Sequence, residues 1–152
     1  MTAKQIPYVG EFGIPGFPAQ MKIISATYGV TSDADVNLAD TTQADSDGFF
    51  HVWELPKKTF VADISVWPTT AMTAGSMQIG DSASSDGYFT DTLLDPTTTT
   101  TVPKSCAAGA NTNRWGKAYT DCDYIGISLA ATTPSAGAGR IFMRYATEVE
   151  ST

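Results

Sequence analysis

Phe60-Val61-Ala62-Asp63-Ile64-Ser65-Val66-Trp67 is the run on which the fold turns. Phe60, Ala62, Ile64 and Val66 alternate with Val61, Asp63, Ser65 and Trp67, the two-residue period of a strand whose successive side chains leave opposite faces. The alternation predicts a strand with one core face, and Pro68, which cannot donate to a ladder, is expected to end it. Just upstream, Lys57-Lys58 reads as a turn. Before it, Phe49, His51 and Trp53 alternate with Phe50, Val52 and Glu54 until Pro56 stops the run.

Further out, Met21 to Val30 is β-like. Thr31 to Gly48 is polar, carries Asp33, Asp35, Asp40, Asp45 and Asp47, and reads as a loop with one short strand around Val36 to Leu38. Downstream, Ser76 to Gly80 points Met77 and Ile79 one way, and Asp81 to Gly87 reads as a loop ending in the turn pair Asp86-Gly87. Tyr88 to Leu94 follows, then the threonine run Thr97 to Thr101 as an exposed edge or connection. Ala107 to Lys117 reads as a loop, Tyr119 to Leu129 keeps Ile125, Ile127 and Leu129 in step, and Pro134 to Gly139 is a small-residue turn. Arg140 to Val149 sets Ile141, Met143, Tyr145 and Val149 opposite Phe142, Arg144, Ala146 and Glu148. Short strands at roughly ten-residue spacing, with no 3.6-residue period, predict an all-β chain folded as a single β-sandwich or jelly-roll-like domain.

Residues 1–20 are expected to be an extended N-terminal arm, and residues 21–152 the sandwich. Pro7, Gly10, Gly13, Pro15, Gly16 and Pro18 break any regular element in the arm, while Tyr8, Phe12, Ile14 and Phe17 supply large apolar side chains with no core of their own. The arm must lie over its own domain or dock on a neighbour.

The 152 residues suffice for one core. Charged residues make up 16% of the chain, below the usual quarter or so, which leaves a surface of Thr, Ser, Gly and Ala suited to burial in an assembly. A net charge of −7 gives no counterion-release term, which argues against nucleic acid and anionic membrane as partners. No apolar run approaches the roughly 20 residues of a spanning helix, and Met1 to Gly10 has neither the basic start nor the apolar stretch of a secretory signal. The expectation is a chain that folds in a cytoplasm, where Cys106 and Cys122 favour the thiol state over a disulfide.

No pattern points to catalysis. The single histidine, His51, lies in a strand, and neither cysteine has the local signature of a nucleophile. Asp33-Ala34-Asp35-Val36-Asn37 starts like a calcium loop, but Leu38 replaces the loop glycine and Ala44 the closing acid. The expectation is therefore no enzyme, no cofactor and no metal. Trp53 and Trp67 read as core residues of alternating strands. Trp115, between Arg114 and Gly116-Lys117 in a loop, is a candidate partner contact.

Leu55-Pro56, the strand Phe60 to Trp67, Thr73-Ala74-Gly75-Ser76, Ile79-Gly80-Asp81, Asp86-Gly87-Tyr88 and Gly139-Arg140-Ile141-Phe142-Met143-Arg144-Tyr145 together resemble the small head-decoration, or cement, proteins of tailed bacteriophages. The resemblance implies a jelly-roll-like protein without catalytic residues. Such a protein would bind the outer surface of an icosahedral capsid, commonly as a trimer, with the major capsid protein as partner. It would be made in the host cytoplasm and end on the virion. On that reading Tyr8, Phe12, Ile14, Phe17 and Trp115 are contacts to the capsid or a neighbouring subunit. The acidic loop and the cysteine pair fall outside the resemblance. The alternative from another class is a carbohydrate-binding sandwich of a virion or appendage, with Trp115 stacking on a sugar.

Overall fold

A computed structural model describes residues 21–73, 76–92, 104–105, 113, 116–130 and 133–147. Its strands are β1 (Lys22–Gly29), β2 (Val36–Asn37), β3 (Phe50–Leu55), β4 (Thr59–Thr70), β5 (Ser76–Asp81), β6 (Ser84–Thr92), β7 (Lys104–Ser105), β8 (Lys117–Tyr119), β9 (Asp123–Ala130) and β10 (Ala138–Thr147). One sheet runs β2-β1-β10-β4, with β7 and β8 one after the other along the far edge of β4; the other runs β3-β9-β5-β6. Every pairing is antiparallel except β1 with β2. From β3 onward the chain crosses repeatedly between the sheets, so strands far apart in sequence lie side by side. This is the two-sheet, jelly-roll-like architecture expected from the strand spacing.

The sheets bury their facing sides. Val61, Ile64, Val66 and Ile141 from the larger sheet meet Met77, Ile79, Ile125 and Ile127 from the smaller, all at 0% exposure. The facing of Met77 with Ile79 and of Ile125 with Ile127 follows the sequence period.

Two strands depart from it, each at a bulge. In β4, Arg144 pairs with Asp63 and Tyr145 with Val61, so Ala62 is an extra residue in the ladder. The expected face Phe60, Ala62, Ile64, Val66 is therefore cut in two: Val61 joins Ile64 and Val66 in the core, while Asp63, Ser65 and Trp67 face out. In β3 the register skips Val52, which carries Trp53 and Leu55 to the core side with Phe50 and leaves His51 exposed. Nor does Pro68 end β4, which continues to Thr70. A register shift there pairs Gly139 with Pro68 and Ala138 with Thr70, and proline is tolerated at such an irregularity.

The segment Asp81 to Gly87 is not a loop but the tight end of the β5–β6 hairpin. Only Ser82 and Ala83 lie between the strands, and Asp86-Gly87 is inside β6. A Cβ at Gly80 would stand 1.9 Å from the Ser84 carbonyl oxygen, so only glycine admits so close a return.

The acidic segment after β1 is ordered by its aspartates. Asp35 accepts from Thr27 N (2.8 Å) and Thr27 Oγ1 (3.0 Å), and Asp40 caps a 3-10 turn at Thr41–Gln43 through Thr42 N (3.1 Å). Asp45 accepts from Asp47 N and Phe49 N, both at 2.9 Å. The short strand expected near Val36 is β2, and Leu38 behind it is fully buried.

Candidate functional site

The register of β4 with β10 and of β10 with β1 decides what the outside of the larger sheet carries. Registers across β1, β10 and β4 set nine outward residues in three rows: Ile23, Arg144 and Asp63; Ser25, Phe142 and Ser65; Thr27, Arg140 and Trp67. Ile23, Phe142 and Trp67 therefore form an apolar diagonal. Ile23 is 71% exposed and Trp67 48%, the two most exposed large apolar side chains among the described residues. Arg144 donates to the Asp63 carboxylate and Arg140 Nη1 to Ser25 Oγ (3.0 Å), so the polar residues beside the diagonal are held in place. Ile23, Asp63, Ser65, Trp67, Phe142 and Arg144 line an open depression of about 370 Å³. Trp and Arg around an apolar centre on a rigid sheet match the composition of protein-interface hot spots. Trp67, read from the sequence as a core residue, is thus a surface residue: it shares the outward face of β4 with Asp63 and Ser65, opposite the buried Ile64 and Val66.

At one end of the sandwich lies a buried carboxylate, Asp81, with no exposure. One oxygen accepts from the amides of Ala83 and Ser84, both at 3.0 Å. The other accepts from Lys117 Nζ (2.7 Å), Tyr119 Oη (2.6 Å) and Asn113 Nδ2 (3.0 Å). Tyr119 Oη also lies 2.8 Å from Tyr88 Oη. Burial alone would raise the Asp81 pKa, but hydrogen bonds from Lys117, Tyr119 and Ala83 outweigh it and hold the group below the usual carboxylate range. Burial, with Tyr88 and Asp81 beside it, pushes the Tyr119 hydroxyl well up. An acid held this firmly as an anion ties the β5–β6 turn to β8 and is no proton donor at neutral pH. The sequence marked Asp81 only as the first residue of a loop, because its side-chain partners lie 32 to 38 residues away.

His51 stacks on Tyr124 (centroids 3.8 Å apart, planes 16° apart) and bridges Asp45 through Nε2 (2.8 Å) and Glu54 through Nδ1 (3.1 Å). Burial lowers its pKa, but the two carboxylates outweigh that and raise it. The carboxylates hold opposite nitrogens of the ring and cannot converge on one ion. The ring is a surface tie between the Asp45 turn and β3, at 36% side-chain exposure. Among the described residues no three His, Cys, Asp or Glu side chains are grouped to hold a metal, and Asp35 is already engaged by Thr27. Cys122 is an exposed free thiol.

Tyr8, Phe12, Ile14 and Phe17 of the arm, Trp115 and Cys106 lie outside the described residues. The face built by Ile23, Phe142 and Trp67 was not singled out in the sequence, since it depends on register between strands that begin at residues 22, 59 and 138.

Comparison with protein-family models finds no match, and none is found among curated protein sequences. Among solved structures, a chain of the acidic stable capsid structure of Helicobacter pylori bacteriophage KHP30 superposes with a TM-score of 0.46 at 13% identity, over 87% of this chain and 98% of that one. A chain of the cyanophage Pam1 capsid asymmetric unit superposes with a TM-score of 0.52 at 17% identity, over 88% of each chain, so that this protein shares its fold with a chain from a phage capsid structure.

Proposed function

We propose that the chain is a non-catalytic structural protein of a phage virion that binds the outer surface of an icosahedral shell and stabilises it by bridging capsid subunits. The observation that carries this reading is the outward apolar diagonal Ile23, Phe142 and Trp67, a surface suited to cover by another chain of an assembly, whether capsid protein or a second copy, set on a rigid sheet beside two arginines. The fold shared with a chain of the Pam1 capsid asymmetric unit supports it. A net charge of −7 suits a position away from packaged DNA. Residues 1–20 act as an arm on the sandwich formed by residues 21–152. Tyr8, Phe12, Ile14, Phe17 and Trp115 contact the major capsid protein or a neighbouring subunit, in a homo-oligomer that the decoration-protein resemblance makes a trimer. The protein is made in the host cytoplasm and ends on the outside of the virion.

The physics is mass action. A clip that binds only the assembled lattice stabilises that lattice as a ligand stabilises a fold, and bridging several subunits multiplies weak contacts. Four arm side chains burying on the order of a few hundred Å² contribute several kcal/mol gross at about 25 cal/mol per Å², before ordering costs. The test is co-sedimentation with phage capsids assembled without the protein. Binding is expected for the full chain and lost on deleting Met1 to Phe17; capsids that leave the full chain in the supernatant overturn the proposal.

A second reading is favoured by one observation. Trp67 stands exposed beside Ser65 and Arg140, an arrangement that also suits stacking on a sugar ring. Sugar binding in a calorimetric screen, lost in Trp67→Ala, would select it.

A further inference from the structure

We propose that the Ile23–Phe142–Trp67 face is the seat for the apolar segment Tyr8 to Phe17 of a second copy of this chain. This rests on reading the arm as a contact to a neighbouring subunit, and it holds whether or not the oligomer then attaches to a shell.

The argument for the occupant begins with where the segment joins. β1 starts at Lys22, paired with Tyr145, and runs from the Ile23 row toward the Thr27 row. β1 therefore begins at the Ile23 end of the face, the end farthest from Trp67. To cover its own diagonal the segment would have to reverse fully within Pro18-Ala19-Gln20-Met21 and then run back along the face it had just left. To reach an adjacent copy it needs no reversal. Twenty residues in extended form span up to roughly 65 Å, whereas the three strands of the face are only about 10 Å across.

The chemistry of the segment matches the seat. Its prolines and glycines exclude a helix or ladder of its own, and it brings Tyr8, Phe12, Ile14 and Phe17 with a single carboxylate, Glu11. The seat offers an open depression of about 370 Å³. Arg144 is paired with Asp63, and Arg140 lies near Asp35, which is held on Thr27, so the seat is close to neutral and its match to the segment is apolar. Because each copy both gives a segment and receives one through different surfaces, reciprocal exchange in a dimer or a closed ring satisfies every seat.

The experiment uses the full-length chain in sedimentation velocity over a range of micromolar concentrations. The wild type is expected to form a concentration-dependent oligomer. Trp67→Ser, Ile23→Ser on the face, and Phe12→Ser with Phe17→Ser on the segment, should each raise the dissociation constant at least tenfold while leaving the circular dichroism unchanged. Mixing the face variant with the segment variant restores one intact contact per pair, so a heterodimer should appear that neither forms alone. In a background with Trp53→Phe and Trp115→Phe, acrylamide quenching of Trp67 reads the face directly, and the oligomer should be shielded. A monomer with Trp67 shielded would assign the seat to the chain's own segment. A monomer with Trp67 open would leave the face to another protein. An oligomer indifferent to all these changes would lie elsewhere. Each of these three outcomes overturns the proposal.

Discussion

Replacing Asp81 by alanine tests how much one buried anion holds together. The carboxylate is unexposed and accepts five hydrogen bonds, from Ala83, Ser84, Asn113, Lys117 and Tyr119. Not all five donors suffer equally when it goes. Tyr119 keeps Tyr88 at 2.8 Å, and Lys117, whose side chain is 28% exposed, can turn to water. Asn113, at 8% exposure, and the amides at the hairpin end lose a buried acceptor. An unsatisfied buried group costs about 1–3 kcal/mol, and removing one partner of a buried pair about 3–5 kcal/mol. Taking about 3–5 kcal/mol as the loss, from a total of roughly 5–15 kcal/mol, the melting temperature should fall by about 10–15 °C at roughly 3 °C per kcal/mol for this size. Lys117→Met leaves the unexposed anion without its counter-charge and should cost a comparable amount, although four neutral donors remain. Calorimetric and circular-dichroism melts at pH 7 provide the measurement. The sign of the pH dependence adds a check. The folded pKa of Asp81 lies below its unfolded value, so its stabilisation is complete above the unfolded pKa, about 3.9, and is lost as pH falls through the folded one. The gap between wild type and Asp81→Ala should therefore close in acid. A variant that melts within about 3 °C of wild type at neutral pH, or a gap that stays constant into acid, would refute the reasoning.

Gly139→Ala should destabilise by about 1–3 kcal/mol through overpacking, because its Cβ would meet the Trp67 carbonyl at 2.5 Å and Tyr28 Oη at 2.6 Å; urea denaturation reads the loss. The His51 pKa is raised in the folded state, so its contribution is complete below the unfolded value near 6.5 and is lost as pH rises through the folded one. Melting temperatures of wild type and His51→Gln should differ more at pH 6 than at pH 8.5, and a difference independent of pH would exclude the Asp45–His51–Glu54 tie as its source.

Local chemistry made the class of fold legible. β-branched and aromatic residues at two-residue spacing, broken by Gly and Pro, can bury a face only as strands in facing sheets, and Met77 with Ile79 and Ile125 with Ile127 lie as that period requires. The acidic run Thr31 to Gly48 was legible as irregular, with β2 inside it, since Asp and Asn compete with ladders by binding nearby amides.

Tertiary structure alone decided the parity of β3 and β4. A bulge inserts one residue without altering composition, so nothing in Phe60 to Trp67 announces that Ala62 is the extra one; the pairing with Arg144 and Tyr145 on β10 does. That single insertion turns Val61 inward to join Ile64 and Val66, while the register of β4 with β10 and β1 sets Trp67, Phe142 and Ile23 on one diagonal and so creates the face on which the functional reading stands. The same holds for Asp81. Its role is written in residues far along the chain, and a sequence read along its length reports neighbours in order, whereas charge satisfaction and surface composition depend on neighbours in space.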